Sequence, residues 1–105
     1  MELKTVEKAE RREESILIGL FGNTSFTKVL DTLMDHPNYD YTKKQLAEVN
    51  DLSRPTLYKI WPRLERFKIV QPTRKIGNTQ LYKLNTESAL VKELYRLEQK
   101  AAEEV

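Results

Sequence analysis

The chain has 105 residues, of which 39% are hydrophobic and 32% charged, with a net charge of +2 and no cysteine. This suits one small folded domain with flanking helices and excludes a disordered chain, a disulfide framework, a thiolate zinc site and a cysteine nucleophile. No window reaches the apolar length of a membrane span or of a signal-peptide core, so the protein is expected in the cytoplasm, with no membrane partner.

Residues 2–20 carry a broken helical stripe at Leu3, Val6, Ala9, Ile16, Leu17 and Leu20, around a middle (EKAERREES) that is charged on every side. Gly22 and Asn23 tolerate the left-handed backbone of a helix stop. Asn23 or Thr24 then caps a helix over about 25–35, with Phe26, Val29, Leu30, Leu33 and Met34 on one buried face. Pro37 stops that helix, with His36 beside its C-terminal end. Tyr39-Asp40-Tyr41 reads as a short strand packed at a sheet edge, and an effector pocket lined by the two tyrosines is the weaker alternative.

Thr42 caps a helix over 43–49, Asn50 and Asp51 make a tight turn, and Ser53 opens a longer helix that runs to about Phe67. Pro55 fits the first turn, where its missing N–H has no partner to lose. Pro62 removes one internal hydrogen bond, so a kink or loosened turn is expected there rather than a break. Leu46, Ala47, Leu52, Leu57, Trp61 and Leu64 form one apolar seam, and Trp61 reads as core at that spacing. Ile69–Arg74 and Gln80–Leu84 are short strands, with Gly77-Asn78 at the tip of the 75–79 connection. Pro72 confines the first strand to an edge or a bulge. Tyr82 and Leu84 are expected to face the core, with Leu81 and Lys83 on the other side. Thr86 caps a last helix over about 87–103, striped by Leu90, Val91, Leu94, Leu97 and Ala101.

Charge is segregated along this order. Residues 42–84 hold ten Lys/Arg against three acids, a net +7, while the remainder holds eight against thirteen, a net −5. Two helices sharing a small core beneath a basic outer surface are the usual device for reading a major groove. On the helix from Ser53, the face opposite Leu57, Trp61 and Leu64 carries Arg54, Pro55, Tyr58, Lys59 and, to one side, Arg63. Arg54, Tyr58 and Lys59 are expected to reach base edges, and Thr56 to support the turn or touch phosphate. Thr42, Lys43 and Lys44 are expected at phosphate. Arg74, Lys75, Asn78 and Gln80 are expected at the minor groove or its backbone. The alternative for the whole set is a solvated basic surface. No histidine-centred triad, phosphate-cradling glycine loop or convergent carboxylate pair argues for an enzyme.

The segment LAEVNDLSRPTLYKIWPRLERFKIV followed by RKIGNTQLYKL resembles small prokaryotic winged-helix regulators of the ArsR/MarR/PadR type, closest to archaeal members. The likeness covers residues 24–84, and Pro62 and Lys68 depart from its pattern. It implies an α+β, mainly α, winged helix-turn-helix with N- and C-terminal flanking helices, double-stranded DNA as partner, and a homodimer. Metal sensing of the ArsR type uses Cys or His clusters, and this chain has none beyond His36, so neither metal nor cofactor is expected. The division is residues 1–22 for an N-terminal helix, 23–85 for the DNA-binding domain and 86–105 for a C-terminal helix. The dimer seam is expected at Leu3, Val6, Ile16, Leu17, Leu20, Leu90, Val91, Leu94 and Leu97, with the fold-back of one flanking helix onto its own domain as the alternative. A dimeric repressor at an inverted repeat is the leading expectation. A plasmid or viral segregation or copy-control protein on centromere-like repeats, and a winged-helix protein-interaction module, are the others.

Overall fold

The computed structural model describes residues 15–105. The expectations for residues 2–14, including Leu3 and Val6 on a dimer seam, lie outside them. The described chain runs α1 (Ile16–Phe21), α2 (Ser25–Asp35), α3 (Lys43–Val49), α4 (Arg54–Arg66), β1 (Val70–Ile76), β2 (Thr79–Leu84) and α5 (Ala89–Glu103). It is mainly helical, with one antiparallel hairpin.

Hydroxyl caps set the helix starts. Ser15, Thr24, Thr42, Ser53 and Ser88 each accept a hydrogen bond from a first-turn amide of α1 to α5. At Thr42 the cap is reciprocal, because the Gln45 side chain returns to the Thr42 amide at 2.9 Å. The last cap corrects the expectation of Thr86. A turn closes first, with the Ser88 amide donating to the Asn85 carbonyl at 3.1 Å, and α5 starts two residues later.

The stops of α3 and α4 are alike. Asp51 and Lys68 both have φ 56°, the left-handed region that glycine usually occupies. After α3, the Leu52 amide donates to the Ala47 carbonyl (2.8 Å) and the Asp51 amide to the Glu48 carbonyl (3.1 Å). After α4, the Ile69 amide donates to Leu64 (2.9 Å) and the Lys68 amide to Glu65 (3.0 Å). Both are Schellman closures, and at the second both Leu64 and Ile69 belong to the buried core. α4 runs through Pro62 without a break.

The core gathers Leu17, Val29, Leu30, Leu33, Leu46, Leu57, Ile60, Trp61, Leu64, Leu84 and Val91 from every helix and β2. α1 packs on α2 and α5, α3 on α4, and α2 also on α4 and β2. Thr32 ties α2 to the turn after α3, its hydroxyl 2.8 Å from the Asn50 side-chain oxygen. Tyr95 docks α5 on the end of α2 by donating to the Met34 carbonyl at 2.7 Å.

The hairpin is longer than the sequence suggested. Pairing shifts register between Pro72 and Lys75 and then resumes, with Lys75 opposite Gln80 and Ile76 opposite Thr79. This irregularity at Pro72 lets the connection shrink to Gly77-Asn78, with Gly77 at φ 62°. Leu81 is buried, contrary to its expected outward side. It stands apart from the main core, so both sides of β2 are covered there. The strand foreseen at 39–41 is a single bridge, Tyr41 pairing with Tyr82 through two 2.8 Å hydrogen bonds.

Candidate nucleic-acid interface

Three separate stretches of sequence meet at one cleft of about 540 Å³. The start of α3 supplies Thr42, Lys43 and Lys44, the first turns of α4 supply Arg54 and Tyr58, and the hairpin supplies Asn78, Thr79, Gln80 and Tyr82. Among the described residues, three cations line it and no carboxylate does. The caps at Thr42 and Ser53 place both helix starts at this edge of the molecule. The buried seam of Leu57, Ile60, Trp61 and Leu64 turns Arg54, Tyr58 and Lys59 outward.

The cations differ in how they are engaged. Among the described residues, Lys44, Arg54, Lys59 and Lys75 have no ion-pair partner. Arg74 does: its Nε donates to Asp40 Oδ2 at 2.9 Å and its Nη2 to Oδ1 at 3.3 Å. The Thr73 hydroxyl adds a 2.7 Å bond to the same carboxylate. Arg74 first and Thr73 second hold the Asp40 carboxyl below the ordinary aspartate range, and Asp40 in turn raises the Arg74 guanidinium further above its ordinary value. Arg63 lies 4.5 Å over the Phe26 ring, which directs it toward α2 rather than toward the cleft. Lys43 has its ammonium 4.9 Å from the centre of the Trp61 ring, 5.4 Å from Tyr58 and 5.7 Å from Tyr82.

Several polar candidates also have structural partners. The Ser53 and Thr56 hydroxyls are 2.8 Å apart, and Ser53 receives the Thr56 amide. The Gln80 amide nitrogen donates to the carbonyls of Arg74 (3.1 Å) and Leu81 (3.0 Å), spanning the register shift of the hairpin. Pro55 and Asn78 are exposed at the same edge as the cations. Sequence reasoning missed Thr79 and Tyr82 as lining residues, and Asp40 as the partner of Arg74. Tyr82 was assigned wholly to the core, but its ring sits edge-on to Trp61 at 4.8 Å while still bordering the cleft. Nothing local marks Asp40, which lies 34 residues before Arg74.

The expected seam residues also separate. Leu17 and Val91 are fully buried in this chain's own core, so they cannot meet a partner. Leu20, Leu90 and Leu97 are exposed, and Ile16 and Leu94 are half-buried. Ile16, Leu20 and Leu97 line an apolar recess of about 790 Å³ between α1 and α5, which shares no lining residue with the basic cleft. His36 ends α2 and stacks on Tyr39 at 5.2 Å.

No family model matches the sequence, and neither does any curated protein sequence. Solved structures do match. A possible transcriptional regulator from Methanosarcina mazei is 15% identical with a TM-score of 0.56, covering 96% of this chain and 85% of that one. A mutant of Staphylococcus aureus MepR bound to an oligodeoxyribonucleotide is 20% identical with a TM-score of 0.55, covering 86% and 70%. A mutant of Lactococcus lactis ZitR is 16% identical with a TM-score of 0.54; the match covers 70% of this chain and about half, 52%, of ZitR. Two are bacterial and one archaeal. With its helix pair, hairpin and shared core, this chain has the winged helix-turn-helix fold.

Proposed function

We propose that the protein is a sequence-specific double-stranded DNA-binding transcriptional regulator that works as a homodimeric repressor at an inverted repeat. The observation that carries this reading is the convergence of the α3 start, the outer face of α4 and the hairpin on one cleft that, among the described residues, is lined by cations and by no carboxylate. A helix start that enters a major groove beside a basic arm needs that arrangement. The likeness to a regulator that binds an oligodeoxyribonucleotide supports the same assignment.

Arg54, Tyr58 and Lys59 read bases, while Lys44, Lys75 and Asn78 hold the backbone. The apolar recess between α1 and α5 takes a second copy through Ile16, Leu20 and Leu97, with Leu90 and Leu94 of α5 beside it, which sets the two recognition helices about 34 Å apart, one turn of DNA. The protein carries no catalytic or metal-dependent role in this reading.

The experiment is selection of a preferred duplex from random DNA, followed by binding of Arg54→Ala and Lys59→Ala to that duplex and to an unrelated one. Each substitution is expected to cost about 1–3 kcal/mol on the preferred sequence and much less on the other. Wild-type affinity should fall by about three decades between roughly 50 and 200 mM salt if six or more phosphates are met per dimer. A flat salt response, or no preferred sequence, refutes the proposal.

A further inference from the structure

Lys43 stands at the first position of α3 with Lys44 beside it, and α3 has no acid in its first turn. Cations at a helix start face the positive end of the backbone dipoles, so their placement costs free energy unless something offsets it. For Lys43 the offset is aromatic. Its ammonium lies within 6 Å of three ring centres, those of Tyr58, Trp61 and Tyr82, close enough for each to attract it. These rings come from α4 and from β2, and Trp61 and Tyr82 meet edge to face. Trp61 is not oriented by a hydrogen bond: its indole N–H has no acceptor among the described residues. Packing in the core holds it, with the ammonium against its ring.

We infer that Lys43 is a positioning residue that clamps the hairpin to the recognition helix through this aromatic box, and so sets the width of the cleft, instead of binding a phosphate itself. The clamp is the only contact described above that engages α3, α4 and β2 at one atom. The hairpin is held elsewhere by the Tyr41–Tyr82 bridge, by the bonds of Arg74 and Thr73 to Asp40, and at its base by Val70 and Leu84 in the shared core. The box is the link at the cleft itself, where Lys43, Tyr58 and Tyr82 are all lining residues. This rests on the DNA-binding proposal for its consequence but not for its geometry.

The test compares Lys43→Met, which keeps the stem and loses the charge, with Lys43→Arg, which keeps a cation, and with Lys44→Met. In the free protein, Trp61 is the sole tryptophan, so its emission reports on the box. Lys43→Met is expected to shift that emission and to speed hydrogen exchange at the Tyr82 amide, and Lys43→Arg to restore both. On the preferred duplex, Lys43→Met is expected to weaken binding about three- to tenfold with the salt slope unchanged. Lys44→Met, at a phosphate, is expected to lower the slope by about one. A Lys43→Met protein with unaltered emission and exchange overturns the clamp, as does a slope lowered by about one. If the wild type binds no duplex, the DNA reading falls, and emission and exchange still decide the clamp.

Discussion

Lys68 and Asp51 carry the left-handed backbone at the two helix stops that frame the recognition unit, and neither is glycine. A side chain in that region strains against its own carbonyl. Replacing Lys68 by glycine removes this strain while keeping the Schellman bonds, so Lys68→Gly is expected to raise stability by about 0.5–1 kcal/mol. Urea denaturation checks it: the midpoint should rise at constant slope, and a lower midpoint would mean that the side chain holds the turn. Residue-scale features of this kind were largely legible. The caps at Thr24, Thr42 and Ser53 and the turn at Asn50-Asp51 follow from side-chain chemistry within four residues. The cap of α5 was misread because Thr86 and Ser88 are both competent, and a tertiary turn decides between them. The Asn85 amide donates to the Ile69 carbonyl at 2.8 Å and its side chain to Lys68 at 3.0 Å, so the chain is pinned just before the helix begins.

Elements pack against one another across charge as well as across leucines. α5 lays Glu98 near Asp31 and Asp35 of α2, and burial first, then these two carboxylates, push its carboxyl above the ordinary glutamate range. A carboxyl whose folded value is raised binds its proton more tightly in the folded state. Stability is therefore fully present below the unfolded value and falls as pH rises through the folded value, so the ionised carboxyl is a net cost at neutrality. Glu98→Gln is accordingly expected to raise the Tm near neutral pH, with the gain shrinking toward zero by about pH 4. An unchanged gain across that range would show that packing, not charge, limits this interface. Periodicity made the α2 and α5 stripes readable but carried no sign of this opposition, since Asp31 and Glu98 belong to helices far apart in the chain. Strand β2 shows the same limit. Alternation assigned Leu81 to the outside, yet the surrounding structure covers it.

At the scale of the whole molecule, the winged helix-turn-helix order could be read from residues 42–84 because each element has its own local start, stop and stripe. The cleft could not. Its lining comes from three stretches, and the cations of residues 42–84 are not distinguishable in sequence by their partners: a carboxylate for Arg74, rings for Lys43 and Arg63, and, among the described residues, no ion pair for Lys44, Arg54 and Lys59. The proposed dimer is likewise a property of the assembly. With Leu17 and Val91 used in the core, the exposed Leu20, Leu90 and Leu97 remain to cover a partner. Sedimentation at tens of micromolar is expected to give a dimer, and Leu97→Glu to weaken it by about tenfold or more, given the roughly 1.5–3 kcal/mol gained on burying a leucine. A monomeric wild type at that concentration removes the dimer from the proposal.

Asp40 gives the wing an internal rival for any incoming anion. Arg74 must leave one carboxylate before it can grip another acidic oxygen, so under the proposed function its grip is a trade of partners rather than a fresh gain. Loose encounters with arbitrary duplex, which rely on such cations alone, lose the most from that trade. An operator of the proposed kind, held also through α4, tolerates it, so under that function the carboxylate would sharpen choice by discouraging indiscriminate adhesion.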